Sequence, residues 1–180
     1  IKVIIDLVLS HTSDEHKWFK ESSKKVKNEY TDWYVWADGK ENKPPNNWLS
    51  VFGGSSWKWD PKKEQFYLHN FLESQPDLNF HNVDVQNQML NEIQFWLDFG
   101  IDGFRFDVIN FLFHDKGLRN NPYKDASEVR PLGFNKDNPY GLQHHKFDNT
   151  QIDTLIYLEK IRKLLDKYNA ISIGAVSYTH

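Results

Sequence analysis

The stretch GIDGFRFDVIN, residues 100–110, decides the fold class, because it follows a helical pattern and itself reads as a strand. Alternation places Phe104 and Phe106 on one side of that strand, and Arg105 and Asp107 on the other. Alternate side chains lie ~7 Å apart along a strand, so the guanidinium of Arg105 favours the ionised form of Asp107. An anionic carboxylate there suits a nucleophile or an electrostatic stabiliser, and a purely structural ion pair is the alternative.

Two helical patterns separate three strand-like runs. The first predicted helix places four apolar residues on one face: Val85, Met89, Ile93 and Leu97. The second does the same with Leu155, Leu158, Ile161 and Leu165. Gly100 stands where a helix C-terminal glycine belongs. Both segments are therefore predicted to be amphipathic helices that cover a sheet.

The first and third strands flank a less regular region. The run IKVIIDLVLSH, residues 1–11, has one acid among apolar residues, typical of a strand covered on both faces. Ser13 is predicted to cap a short helix over SDEHKWFKES, with acids in its first turn. Residues 26–82 lose any long period and are rich in Pro, Gly, Asn and aromatic residues, which predicts a loop-rich insertion with short strands. The run AISIGAV is the third strand.

The order of these elements predicts a parallel α/β sheet with right-handed crossovers. Periodicity alone does not distinguish an open sheet from a closed barrel, and both place ligands at the carboxyl ends of the strands. Asp107 and His11 each stand at the carboxyl end of a predicted strand. We therefore expect both side chains to face one rim of the sheet.

The composition of the 180 residues is that of a globular protein, with 39% hydrophobic and 16% aromatic residues. A formal net charge of −3 offers no basic surface, so no nucleic-acid partner is predicted. The absence of cysteine excludes disulfides and Cys-based zinc sites. No run reaches the ~18 to 20 apolar residues of a membrane span, so no membrane partner is predicted. A cytoplasmic location is expected, with the periplasm and secretion as alternatives.

Both ends of the chain fall inside strand-like runs, at Ile1 and at SIGAVSYTH. We therefore expect a piece of a longer fold. An incomplete sheet of this kind is expected to expose strand edges and apolar helix faces, and hence to aggregate when expressed alone.

Three segments carry a family resemblance: DLVLSHTSDEH, QPDLN and GFRFDVIN, in this order and separation. They resemble signature regions of the α-amylase family of glycoside hydrolases, family 13, and most closely its α-glucosidase and oligo-1,6-glucosidase branch. The resemblance implies an α/β fold, a partial (β/α)8 barrel comprising strands 3 to 5. Residues 1–11 would be strand 3, residues 12–82 the small B-domain insertion with its flanking loop and helix, and residues 83–180 the part from helix 3 to strand 5.

The resemblance also implies roles for single residues. Asp107 matches the catalytic nucleophile, and Arg105 matches the arginine that orients it. His11 matches a histidine that hydrogen-bonds the sugar in subsite −1. Phe52 and Phe71 match aromatic residues that wall the glucose pocket of this branch, and aromatic rings suit the apolar faces of sugars. The implied partner is a small oligosaccharide substrate.

Two positions depart from the family pattern. Ser10 replaces the usual Asn, which is a metal ligand in calcium-binding amylases, so no metal and no cofactor are expected. Ala175 stands where the family has the general-acid Glu, directly after the Gly of the fifth strand. Alanine cannot donate a proton, so the chain lacks the second carboxyl group of a retaining glycosidase. The explanations are a lost Glu, a degenerate homologue, or a foreign tail over residues 175–180, which we favour.

Other polar residues are expected to have structural roles. Asp6, in the middle of the first strand, is expected to have a buried partner. Gln75, Asp77 and Asn79 are expected to fix the return of the insertion more than to touch sugar. His144 and His145 are expected to be solvated loop residues, with the lining of outer sugar subsites as the alternative.

The resemblance implies that the parent protein is an enzyme, a retaining α-glucosidase that cleaves terminal α-1,4 or α-1,6 bonds of short oligosaccharides through a glycosyl ester on Asp107. The piece itself is expected to be inactive. The alternatives are a catalytically dead scaffold module of the kind that accompanies amino-acid transporters, and a related isomerase, transglycosylase or trehalose-6-phosphate hydrolase. By resemblance Val108 favours α-1,6 bonds, whereas FLFHDKGLRNNP resembles α-1,4 maltases.

Overall fold

A computed structural model describes residues 1–41, 43–125, 127–128 and 138–176 of the chain. The strands in these ranges are β1 (Ile4–Val8), β2 (Trp36–Ala37), β3 (Trp57–Asp60), β4 (Gln65–Leu68), β5 (Gly103–Asp107) and β6 (Ile171–Gly174). The helices are α1 (Lys17–Ser22), α2 (Val83–Asp98) and α3 (Ile152–Lys167), and two 3-10 turns cover Ile109–Phe111 and Pro139–Leu142. None of the described helices has the length and apolar character needed to cross a membrane.

The central sheet is parallel and has the strand order β1, β5, β6. Its register pairs Asp6 with Arg105 and Arg105 with Ile173. Residues paired in this way point to the same side of a sheet. One side, which we call the open face, carries Ile4, Asp6, Val8, Gly103, Arg105, Asp107, Ile171 and Ile173. The other side carries Phe104 and Phe106, which are buried in the main hydrophobic core.

The expectation that β1 is covered on both sides is wrong, because the open face is exposed. Ile4 and Val8 are each 40% exposed, and every residue of β6 is exposed. The reason is that the buried faces of α2 and α3 join the core that contains Phe104 and Phe106, on the opposite side. Gly103 is the one buried residue of the open face. A Cβ atom there would lie 2.3 Å from the carbonyl oxygen of Ile171, so only glycine fits between the strands.

Helix α2 forms as its sequence predicts. The Asn82 side chain caps it by accepting a hydrogen bond from the backbone N–H of Asp84 at 2.9 Å. The predicted apolar face is buried: Val85, Met89, Ile93 and Leu97. Gly100 follows the helix with φ +100°, a left-handed conformation that glycine adopts without strain, and its N–H bonds the carbonyl of Leu97 at 3.0 Å.

The predicted face of α3 is only half right. Its buried residues are Thr154, Tyr157, Ile161 and Leu165, whereas Leu155 is 58% exposed. Tyr157 takes the core position because its hydroxyl also reaches the carbonyl of Gln86 on α2, at 2.9 Å. A pattern restricted to aliphatic residues therefore rotates the predicted face away from the true one.

The predicted start of α1 is wrong. The helix begins at Lys17, and its cap is His16, whose Nδ1 accepts from the N–H of Trp18 at 3.2 Å. The Ser13 hydroxyl instead accepts from the N–H of Glu15 at 3.1 Å, which closes a turn before the helix. Asp14 and Glu15 therefore lie before the first helical turn.

The region between α1 and α2 contains the short strands that its composition predicts. Strands β2, β4 and β3 form an antiparallel sheet in that order. Its own core is built from Val35, Ala37, Trp48, Trp57, Phe66 and Leu68. The domain boundaries at residues 11, 12, 82 and 83 stay predictions. So does the tail over residues 175–180, of which residues 177–180 lie outside the described residues.

Candidate active site

The end of the open face brings three residues into one row across the sheet. The register pairs Val8 with Asp107 and Phe106 with Gly174, the last residue of β6. Ala175, the residue after β6, therefore stands beside Asp107. The N–H of Ala175 donates to the carbonyl of Phe106 at 2.8 Å, which continues the ladder by one residue. Neighbouring strands are ~4.8 Å apart. A side chain at position 175 therefore projects next to the Asp107 carboxylate.

Arg105 links two carboxylates on this face. Its Nη2 lies 3.0 Å from Oδ1 of Asp107, and its Nη1 lies 2.5 Å from Oδ2 of Asp6. The hydrogen bond to Asp6, followed by the charges of Asp6 and Asp107, raises the pKa of Arg105, so the guanidinium stays charged. The predicted pairing of Arg105 with Asp107 is confirmed. Asp6 has the partner expected of it, but its side chain is 56% exposed and not buried.

His11 follows β1 and faces the same rim as Asp107. Its Nδ1 lies 2.9 Å from the hydroxyl of Ser10, and its Nε2 lies 3.1 Å from Nε2 of Gln75. Burial lowers the pKa of His11, and the negative charge of Asp107 acts in the opposite direction. The imidazole is therefore neutral at pH 7 and lies within the electrostatic reach of Asp107.

Of the two predicted aromatic residues, Phe71 lies beside His11 and Phe52 lies beside Phe71. The Phe71 ring centroid is 5.3 Å from that of His11 and 6.0 Å from that of Phe52. Phe71 is buried, whereas Phe52 is 64% exposed. The structure thus brings both residues to the same end of the sheet as Asp107. Their contact with a sugar stays a prediction.

A cavity of about 370 Å³ opens beside this cluster. It is lined by Val8, His11, Thr12, Ser13, Leu72, Ser74 and Gln75. Its volume lies within the range of small-molecule pockets. The cavity includes His11 and also Val8, which is paired with Asp107 in the register of the sheet.

Two residues of this region were not singled out as site residues from the sequence pattern. Phe111 packs against Phe71, with ring centroids 5.2 Å apart. Val108, directly after Asp107, adopts φ 43° and ψ 41°. A β-branched residue in this left-handed region is a strained outlier. The turn at Val108 sends the chain into the 3-10 turn that carries Phe111, and an aromatic residue just after a site strand was the available signal.

The QPDLN stretch ties the end of β1 to the insertion. Asp77 forms an antiparallel bridge with His11, and its carboxylate accepts hydrogen bonds from the backbone N–H of Asn70 at 2.9 Å and from its side-chain amide. Asp77 is fully buried, and burial raises its pKa well above the usual value. Asn79 Nδ2 donates to the carbonyl of Asp32 at 3.1 Å. These contacts agree with the expected structural role, although Gln75 also touches His11.

The expectation that His144 and His145 are solvated is wrong for His145. The side chain of His145 is 5% exposed, and its Nδ1 lies 2.6 Å from the buried carboxylate of Asp148. Its Nε2 lies 2.8 Å from the carbonyl of Tyr140. His144 is 34% exposed and pairs with Glu128 at 3.0 Å. A buried acid three residues away supplies the partner that keeps His145 inside.

Comparison with known proteins decides the family. The family model of the alpha-amylase catalytic domain matches residues 1–179. The chain belongs to the alpha-amylase family. Its curated relatives include oligo-1,6-glucosidases. The family fold is of the (β/α)8 α/β type, consistent with the parallel strands and intervening helices described above.

Three relatives illustrate the range. A probable alpha-glucosidase of Rhizobium meliloti (strain 1021) is 51% identical over 98% of this chain and 32% of its own length. The amino acid transporter heavy chain SLC3A1 of Rattus norvegicus is 41% identical over 94% of this chain and 25% of its own length. The crystal structure of XgtA, an alpha-glucosyl transfer enzyme, has a TM-score of 0.94 at 57% identity, covering 98% of this chain and 34% of XgtA. The chain thus spans about a third or less of the length of these relatives.

Proposed function

We propose that this chain is part of a retaining α-glucosidase that acts on terminal α-1,4 or α-1,6 bonds of short oligosaccharides, with Asp107 as nucleophile. The strands β1, β5 and β6 are then the third to fifth strands of a (β/α)8 barrel, and the open face is the barrel interior. The observation that carries this proposal is the contact of Arg105 with Asp107 at the rim of the sheet that His11 also faces.

The chemistry assigned to these residues is nucleophilic displacement. A carboxylate oxygen of Asp107 forms a bond to the anomeric carbon while the bond from that carbon to the leaving oxygen breaks. Arg105 orients the carboxylate through its contact with Oδ1. His11 hydrogen-bonds the sugar hydroxyls, and Phe71 and Phe52 provide the apolar wall of the pocket. Water then hydrolyses the ester, which regenerates Asp107.

Ala175 removes the proton donor from this scheme. The departing oxygen of an ordinary disaccharide needs a proton from a carboxyl group ~5 to 5.5 Å from the nucleophile. Residue 175 stands beside Asp107 but has only a methyl group. Substrates whose leaving group departs as a stable anion do not need the proton. They can therefore still form the glycosyl ester on Asp107.

This asymmetry supplies the test. The protein that carries this chain is treated with an α-glucoside of an acidic dinitrophenol, and the product is examined by mass spectrometry. A glucosyl unit attached to a peptide containing Asp107 is expected, with no adduct in Asp107→Asn. If wild-type protein forms no adduct, or if the adduct persists in Asp107→Asn, the nucleophile assignment is wrong.

A gain of activity provides the second arm. Ala175→Glu is expected to raise kcat on maltose or isomaltose by ~10² to 10⁴, the usual contribution of a general acid. Ala175→Gln is the matched control, because its amide has the same size and donates no proton to a leaving oxygen. Comparing rates on maltose and isomaltose then decides the linkage preference, and comparing glucose release with oligosaccharide formation decides between hydrolysis and transfer.

A catalytically dead scaffold module is the second candidate. The observation in its favour is Ala175, together with 41% identity to a transporter heavy chain. This candidate predicts no adduct on Asp107 and no gain of activity in Ala175→Glu. Isomerase, transglycosylase and trehalose-6-phosphate hydrolase activities share the glycosyl ester and would differ in the acceptor or the substrate that supports turnover.

A further inference from the structure

The orientation of the Gln75 side-chain amide is fixed by a backbone group. The N–H of Leu72 donates to Oε1 of Gln75 at 3.0 Å. A backbone N–H can only donate, so the atom that faces it is the amide oxygen. The other end of the amide, its NH2 group, therefore faces Nε2 of His11, at 3.1 Å.

This contact determines which nitrogen of His11 bears the proton. An NH2 group donates and does not accept, so Nε2 of His11 must present its lone pair. A neutral imidazole has one N–H, which then lies on Nδ1. The hydroxyl oxygen of Ser10 lies 2.9 Å from Nδ1 and accepts that proton's hydrogen bond. Ser10 is 1% exposed, so water does not compete readily for this position.

The charge state of the ring agrees with this arrangement. Burial lowers the pKa of His11, which keeps the imidazole neutral. Asp107 is the charged group that acts on it in the opposite sense. The Phe71 ring packs against the imidazole and adds no polar partner.

We propose that Gln75 and Ser10 are positioning residues that hold His11 as the Nδ1–H tautomer, with the lone pair of its Nε2 directed at the amide of Gln75. His11 and Gln75 both line the 370 Å³ cavity, which makes this edge of the imidazole part of a ligand site. With regard to the ligand, the inference rests on the proposed function: a sugar hydroxyl takes the place of the Gln75 N–H as donor to Nε2 of His11, and it does not accept a hydrogen bond from that atom. The tautomer itself follows from the contacts of Ser10, His11 and Gln75 alone.

Nitrogen NMR of the protein that carries this chain, labelled with 15N-histidine, tests the proposal. The His11 signals are assigned by their loss in His11→Gln. We expect a protonated Nδ1 and an unprotonated Nε2 at neutral pH in the wild type. A proton on Nε2 of the wild-type ring overturns the proposal. The tautomer is read from the wild-type protein, and His11→Gln is needed only to assign the signals.

A nearly isosteric variant reverses the polarity of the contact. In Gln75→Glu, a carboxylate oxygen faces Nε2 and can only accept, so a proton is expected to appear on Nε2. Gln94→Glu makes the same charge change at an exposed position of α2 and should leave the His11 signals in place. An unchanged tautomer in Gln75→Glu refutes the positioning role.

Ser10→Ala gives an independent readout. It removes the acceptor of the Nδ1–H, so the Nδ1 signal should move, and wild-type signals would argue against the role of Ser10. Failure of the proposed function leaves these results unaffected, because the tautomer is read without turnover. A missing glucosyl adduct on Asp107 with a protonated Nδ1 would refute the glucosidase assignment alone.

Discussion

Nη2 of Arg105 lies 3.0 Å from Oδ1 of Asp107, while Nη1 of the same guanidinium binds Asp6. A planar guanidinium reaches two carboxylates at once, whereas a lysine ammonium is a single point charge. Arg105→Lys is therefore expected to lose hold of one partner and to lower kcat/KM by about 10²-fold, the typical cost of a misplaced reacting group. The measurement is steady-state kinetics in an active Ala175→Glu background.

The matched control for this prediction is Asp6→Asn. Its amide oxygen still accepts from Arg105, so the loss of kcat/KM is expected to stay below about tenfold. Equal losses of kcat/KM in Asp6→Asn and Arg105→Lys would mean that the contact of Arg105 with Asp107 does not determine the rate.

Phe71 and Phe52 should separate stability from binding. Phe71 is 9% exposed and packs against three rings, so Phe71→Ala is expected to lower the free energy of unfolding by ~3 to 5 kcal/mol. Phe52 is 64% exposed, so Phe52→Ala should change stability by less than ~0.5 kcal/mol and raise KM instead. Urea denaturation and initial rates measure the two effects. A large loss of stability in Phe52→Ala would contradict the exposure of this ring.

Stability is expected to fall in acid because of His114. Burial, followed by the neighbouring His81, lowers the pKa of His114 to about 3. An unfolded histidine titrates near ~6.5, so between about pH 6.5 and 3 the unfolded chain binds a proton that the folded chain does not. The free energy of unfolding should therefore fall as the pH drops through this window, by roughly 1 kcal/mol per pH unit for this group.

The variant His114→Gln is expected to have a flatter pH dependence than the wild type in urea denaturation between pH 6.5 and 4. His144→Gln, the same exchange at a partly exposed residue that is paired with Glu128, is the control for the exchange itself. Asp77 has a raised pKa and acts with the opposite sign, but it is common to all three proteins. Parallel curves for His114→Gln and wild type would count against this source of acid sensitivity.

The open face should make the 180-residue piece self-associate when it is expressed alone. Ile4, Ile171 and Ile173 lie on this face with exposures of 40, 52 and 53%. Ile171→Lys is expected to increase the monomer fraction in size-exclusion chromatography, because an edge lysine opposes strand pairing. Val26→Lys adds the same charge on a loop residue that is 78% exposed, and it should have a smaller effect. A wild-type piece that melts as a sharp, cooperative monomer would refute this prediction.

Local patterns predicted the features that depend on near neighbours in the chain. Alternation along β5 was enough to place Arg105 and Asp107 on one face, and helical spacing was enough to place Gly100 after α2. Features that depend on distant segments were missed. The cap of α1 is His16 and not Ser13, and α3 buries Tyr157 because α2 supplies a partner for its hydroxyl.

The candidate site shows the same division. The strand-end positions of His11 and Asp107 follow from their places in the chain. The contact between Gln75 and His11 joins residues that are 64 positions apart, and the contact between Asp6 and Arg105 joins residues that are 99 apart. The periodicity of a single sequence carries no information on contacts between residues so far apart in the chain. The partners of His11 and Arg105 could therefore be identified only from the three-dimensional structure.

The left-handed backbone at Val108 has a practical consequence for engineering bond preference. Residues held in this conformation carry ~1 to 3 kcal/mol of strain. Replacing Val108 by glycine relaxes the backbone, whereas isoleucine retains the strain, so two exchanges that are intended only to change bond preference also differ in their effect on heat tolerance. Variants at this position should therefore be compared by melting curves as well as by product profiles. Otherwise a gain in thermal stability will be mistaken for a change in bond preference.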